Sequence, residues 1–180
     1  MKKKEINLKF SQGILSEIDQ CDQELVNNAI ASLKDAYAPY SGFQVGASIL
    51  LENGEIINGS NQENVAYPSG LCAERVAIFY ASSNYPNIRI IKMAISVQAV
   101  DFNINDVISP CGACRQVMVE TERRQNEPYR VILVSQNNVT IVFDSASDLL
   151  PCNHHYKCGY RDRDGSSSPV RSGTGSTSDS

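Results

Sequence analysis

The chain has 180 residues, 42% of them hydrophobic, a formal net charge of -4 and a pI near 5.2. That length fits one globular domain with a real core and leaves little room for two. A mildly acidic chain whose only basic clusters are Lys2–Lys4 and Arg123–Arg124 is a poor polyanion binder, and no window approaches the ~18 apolar residues of a membrane span.

The N-terminal MKKKEINLKF lacks the apolar stretch of a signal peptide, since Glu5, Asn7 and Lys9 interrupt it. The expected location is the cytoplasm, where thiols stay reduced. Residues 16–36 carry Ile18, Leu25, Val26, Ala29, Ile30 and Leu33 at helical spacing. "YAPYSG" (37–42) ends that helix. "FQVGASILL" (43–51) reads as a strand, "ENGE" (52–55) as a tight Asn-Gly hairpin turn, and "IINGSN" (56–61) as the returning strand. Residues 72–83 read as a helix, 88–97 as a buried strand and 111–125 as a further helix. Residues 129–135 and 139–143 give two more strands, and 145–151 a short helical turn. This order predicts an α/β sandwich, helices on both faces of one mixed, five-stranded sheet. After Pro151 aliphatic residues almost vanish. The domain is therefore expected to span 1–151 and 152–180 to be an atypical tail, disordered over 159–180.

The cysteines carry the chemistry. Cys111 and Cys114, in "SPCGACRQVM" (109–118), form a Cys-x-x-Cys pair, which alone fits a redox couple or half of a zinc site. Upstream, "SGLCAERVAIFY" (69–80) places Cys72 at a second loop-to-helix junction. Helix N-termini lower thiol pKa values and stabilise anions. Three thiolates from two helix starts suit a zinc ion that keeps one open position, as catalytic zinc does. Glu74 lies within one turn of Cys72, where a carboxylate can take a proton from water and pass it on. Cys21 on the first helix has no such setting. Cys152, His154, His155 and Cys158 read as an incidental cluster in a polar tail.

Cys-x-Glu followed by Pro-Cys-x-x-Cys resembles the signature of zinc-dependent nucleobase deaminases. With "AYAPYSGFQVGA" (36–47), "NQENVAYPSGLCAER" (61–75) and "PCGACRQV" (110–117), the chain resembles the compact three-cysteine cytidine deaminase family over about residues 25–151. The resemblance implies a three-layer αβα sandwich and a homotetramer acting on free cytidine and deoxycytidine. It implies one Zn2+ per subunit held by Cys72, Cys111 and Cys114, with Glu74 as the proton carrier. Arg75 is similar to the arginine that hydrogen-bonds cysteine sulfur, and the Ala73 N–H to the contact with the base carbonyl. Phe43 resembles the aromatic packed on the pyrimidine, and Asn61 and Glu63 the pair on the ribose 3′-hydroxyl. The resemblance also implies that Ala66 and Tyr67 line a loop that serves the subunit interface. His154 stands where the family usually has a phenylalanine that reaches a neighbouring subunit. Rival readings are a deaminase of a modified nucleoside of the blasticidin type, a nucleic-acid editor, and a non-catalytic zinc fold used for assembly. A carboxylate at Glu63 would meet a 3′-phosphate with like charge, which argues against the editor.

Overall fold

The computed structural model describes residues 1, 3 and 5–152. The expected tail lies outside the described residues from position 153 onward, and His154, His155 and Cys158 with it.

Six strands form one sheet in the order β1-β6-β5-β4-β2-β3. They are β1 (Ser11–Ile14), β2 (Phe43–Leu51), β3 (Ile56–Ser60), β4 (Ile90–Ala99), β5 (Arg130–Val134) and β6 (Val139–Phe143). Five strands were expected. The sixth is β1, which pairs antiparallel with β6, Ser11 opposite Val142. β4 and β5 run parallel, and the other pairs are antiparallel. A parallel pair needs a crossover, and the helix α3 (Gly112–Gln125) supplies it.

The period-two pattern of the strands sorts side chains to two faces. Met93, Ile95, Val131 and Leu133 pack with Ala73, Ala77, Ile78 and Ala81 of α2 (Ala73–Asn84) and Met118 of α3. Ala94, Ile132 and Val134 point the other way, against Leu25, Val26 and Ala29 of α1 (Gln20–Ala31). This is the expected αβα sandwich. The first helix is shorter than its apolar spacing suggested. Short 3-10 turns at Leu15–Glu17 and Ser32–Asp35 lie at its two ends.

Two close approaches fix the layers. A Cβ on Gly46 of β2 would meet the Ala29 carbonyl oxygen at 2.0 Å, and one on Gly59 of β3 would meet the Ala73 oxygen at 2.7 Å and the Ala77 nitrogen at 2.8 Å. Glycine there lets the helices seat directly on the sheet. The hairpin turn also differs from the simplest Asn-Gly form. Only Gly54 has positive φ (87°), the Gly54 N–H donates to the Leu51 carbonyl, and the Leu51 N–H donates to the Glu55 carbonyl. A two-residue type I′ turn needs positive φ at both central residues, so this is the longer turn with a glycine bulge.

Candidate active site

Cys72 and Cys111 occupy the same position on two helices, the N-cap of α2 and of α3. Cys114 follows in the first turn of α3. The three Sγ atoms lie within 4.8 Å of one another, and no other His, Cys, Asp or Glu joins that group among the described residues. Cys72 Sγ and Cys111 Sγ are 3.9 Å apart. Tetrahedral zinc with Zn–S bonds of ~2.3 Å sets its sulfurs roughly 3.8 Å apart, so the donor set and its spacing fit the ion. Cys21, Cys72, Cys111, Cys114 and Cys152 are all free thiols. The redox-couple reading of Cys111 and Cys114 is set aside by the third thiol beside them.

Charge is arranged around the cluster. The Arg75 Nη2 donates to Cys72 Sγ at 3.6 Å, and its Nε is buried with no hydrogen-bond partner among the described residues. A hydrogen bond with Cys114 draws the Cys72 thiol down to about 5, with Arg75 adding to the fall. The same bond, with burial, pushes the Cys114 thiol up. The lowered Cys72 thiol favours the thiolate, the form a metal requires. Glu74 is 4% exposed. Burial, followed by the Cys72 charge, raises its carboxyl above the ordinary range. A carboxyl moved towards neutrality can both accept and return a proton.

A second group of residues borders the first. The Asn61 side chain accepts from the Val45 N–H at 2.8 Å and donates to the Phe43 carbonyl at 2.9 Å, pinning the start of β2. Glu63 accepts from the Tyr40 N–H at 2.9 Å, the Ser41 N–H at 3.3 Å and the Ser41 hydroxyl at 2.5 Å. Ser41 Oγ in turn accepts from the Phe43 N–H at 3.0 Å. Ser41 is thus a hub that the residue-by-residue reading gave no role. A serine two positions before the residue whose N–H it binds is a turn signal that could have marked it. Between Asn61 and Glu63, Gln62 exchanges backbone hydrogen bonds with Leu71, the residue before Cys72. That bridge straps the second group to the cysteine loop. Phe43 is half-buried and packs against Val97, Ala99 and Ile104. Ala73 is fully buried. Ala66 is exposed, and Tyr67 lies at the surface in edge contact with Tyr40, ring centroids 6.4 Å apart. Two surface grooves exclude the cysteines, Glu74, Phe43, Asn61 and Glu63 from their lining. They lie between α2 and α3, lined by Phe79, Ser82, Val117 and Arg124, and near Tyr85 and Arg89.

Three thiols on two helix starts, with a buried carboxylate within one turn, define a zinc-site enzyme of the αβα sandwich class. The model of the cytidine and deoxycytidylate deaminase zinc-binding region matches residues 19–126, and the chain belongs to that family. It is similar to a cytidine deaminase from Halalkalibacterium halodurans, 46% identical over 98 residues, covering 54% of this chain and 70% of the relative. A cytidine deaminase from Mycobacterium tuberculosis is 41% identical over 96 residues, covering 53% of this chain and 68% of the relative. Among solved structures, the cytidine deaminase from Burkholderia pseudomallei superposes with a TM-score of 0.63 at 36% identity, covering 73% of this chain and 97% of its own.

Proposed function

We propose that this chain catalyses the hydrolytic deamination of free cytidine and deoxycytidine to uridine and deoxyuridine. The observation that carries the reading is the buried Glu74 at the start of α2, two residues beyond Cys72 and beside the three-cysteine cluster.

Cys72, Cys111 and Cys114 would hold zinc, which when bound supplies Lewis-acid activation of water. Three thiolates outweigh a divalent ion, and Arg75 with the N-terminal ends of α2 and α3 offsets the excess negative charge. Glu74 holds the proton released as water adds at C4, delivers it to ring N3, and helps ammonia depart. The raised carboxyl suits a group that must give back what it takes. Phe43 offers an aromatic face to the ring, and the Ala73 N–H, at the start of α2, meets the base carbonyl. Asn61 and Glu63 read the ribose 3′-hydroxyl, each held by the backbone or by Ser41. Fixed polar groups of this kind give specificity through the cost of leaving them unpaired.

The same reading makes the assembly a homotetramer with Ala66 and Tyr67 near its interfaces. Exposed Val65, Tyr67, Phe79 and Tyr80 support burial against further copies. Free thiols at the site support a reducing, cytoplasmic setting. No helix among the described residues is long and apolar enough to cross a membrane.

The test is the ultraviolet absorbance change on mixing the zinc-quantified chain with cytidine and deoxycytidine. Conversion of both is expected. Turnover of a blasticidin-type nucleoside alone, with zinc bound, would overturn the substrate assignment.

A further inference from the structure

Arg115 follows Cys114 on α3 and has no part in the chemistry above. It nevertheless gathers three carbonyls. Its backbone N–H donates to the Cys111 oxygen at 2.9 Å, its Nε to the Pro110 oxygen at 2.7 Å and its Nη1 to the Leu149 oxygen at 3.1 Å. Pro110 ends the connection between β4 and α3, most of which is exposed and irregular. Proline fixes its own φ. A donor on its carbonyl then orients the peptide plane leading into Cys111, whose side chain is exposed and gains little packing of its own.

The far end of the guanidinium is equally well anchored. Leu149 closes the 3-10 turn Ala146–Leu149. That turn is tied to α3 by the buried Glu122 carboxylate. It accepts from the Ser145 hydroxyl at 2.7 Å, the Ala146 N–H at 2.7 Å and the Ser147 hydroxyl at 2.5 Å. Glu122 and Arg115 therefore hold one C-terminal turn at two points along one helix, and Arg115 passes that anchorage to the peptide before Cys111.

We propose that Arg115 is a positioning residue for the metal centre, bracing the Pro110–Cys111 peptide against the C-terminal turn and so slowing loss of the ion. The proposal rests on the zinc reading of the cysteines and not on the identity of the substrate. Lysine cannot replace the residue, because a single ammonium lacks the planar fork that spans two carbonyls.

The experiment compares zinc release from wild type, Arg115→Lys, Arg115→Ala and Gln125→Ala, each zinc-loaded and challenged with excess chelator and a chromogenic zinc indicator. Gln125 is a control on the same helix, and its side chain holds the backbone of Ile90. Both Arg115 variants should lose zinc about 10–100-fold faster, the range for residues that orient metal ligands. Their cobalt-substituted forms should show shifted thiolate charge-transfer bands. Gln125→Ala should lower the melting temperature and move neither signal. Arg115→Lys keeps the aliphatic stem and the charge, so it carries the test if the alanine variant fails to fold. Wild-type release and an unchanged cobalt spectrum in a folded Arg115→Lys would overturn the proposal alone. A wild-type chain that takes up no zinc would overturn the site reading with it.

Discussion

The Sγ atoms of Cys72 and Cys111 lie 3.9 Å apart although 39 residues separate them in the chain. Each caps a helix that packs on the same face of the sheet, so the sandwich itself brings them together. Removing either should cost the metal and not the fold. Cys111→Ala is the cleaner case, because its exposed thiol contributes little packing. The variant should keep the wild-type circular dichroism and lose zinc on metal analysis. Stoichiometric zinc in the folded variant would remove Cys111 from the ligand set.

Gly59 sets how closely α2 approaches β3. A methyl group there would meet the backbone of Ala73 and Ala77, which cannot yield without moving the first turn of α2. Gly59→Ala should destabilise the protein by about 1–3 kcal/mol in urea titration and lower activity further by displacing Glu74. A Cβ on Gly112 meets nothing within 4 Å. Gly112→Ala should keep wild-type stability or gain up to ~1 kcal/mol from helix propensity.

Asn61 has one structural duty and one proposed duty toward the substrate. Its amide is satisfied on both sides by β2, and it is only 9% exposed. Asn61→Ala should leave the Val45 N–H and Phe43 carbonyl without their partner and cost about 1–3 kcal/mol. Denaturant titration reads that loss, and steady-state kinetics should show a raised KM for cytidine.

The Ser41 hydroxyl, followed by backbone donors, holds the Glu63 carboxyl below its ordinary value. A depressed folded-state pKa stabilises the protein above the unfolded value, ~4.3 for glutamate, and that contribution fades as pH falls through the folded pKa. Ser41→Ala should move Glu63 up towards the ordinary value in a carboxyl-carbon NMR titration. The stability gap between the two proteins should be widest near neutrality and narrow in acid. An unmoved Glu63 titration would show that Ser41 does not hold it.

The parts of this molecule that were readable in the sequence are those with local signals. The strand from Phe43, the strand Val139–Phe143 and the two cysteine-headed helices follow from short apolar patterns and helix starts. β1 was not readable. "SQGI" has no apolar alternation, and it is a strand only because β6 offers it an edge. Asp22 gave no signal either. It is buried in the apolar-spaced first helix because Lys92 and Arg130 reach it from β4 and β5. The cysteine cluster was readable as spacing. The way Ser41, Asn61 and Glu63 lock together depends on contacts between segments some twenty residues apart, which no local pattern encodes.

In the proposed reaction Glu74 carries the proton and the cysteines carry the ion. Glu74→Gln separates the two roles when zinc content and cytidine turnover are measured on the same preparation. Full zinc occupancy is expected, with turnover reduced ~10²–10⁴-fold or more, the range for general acid–base groups. Near-wild-type turnover in the zinc-replete variant would contradict that role for Glu74.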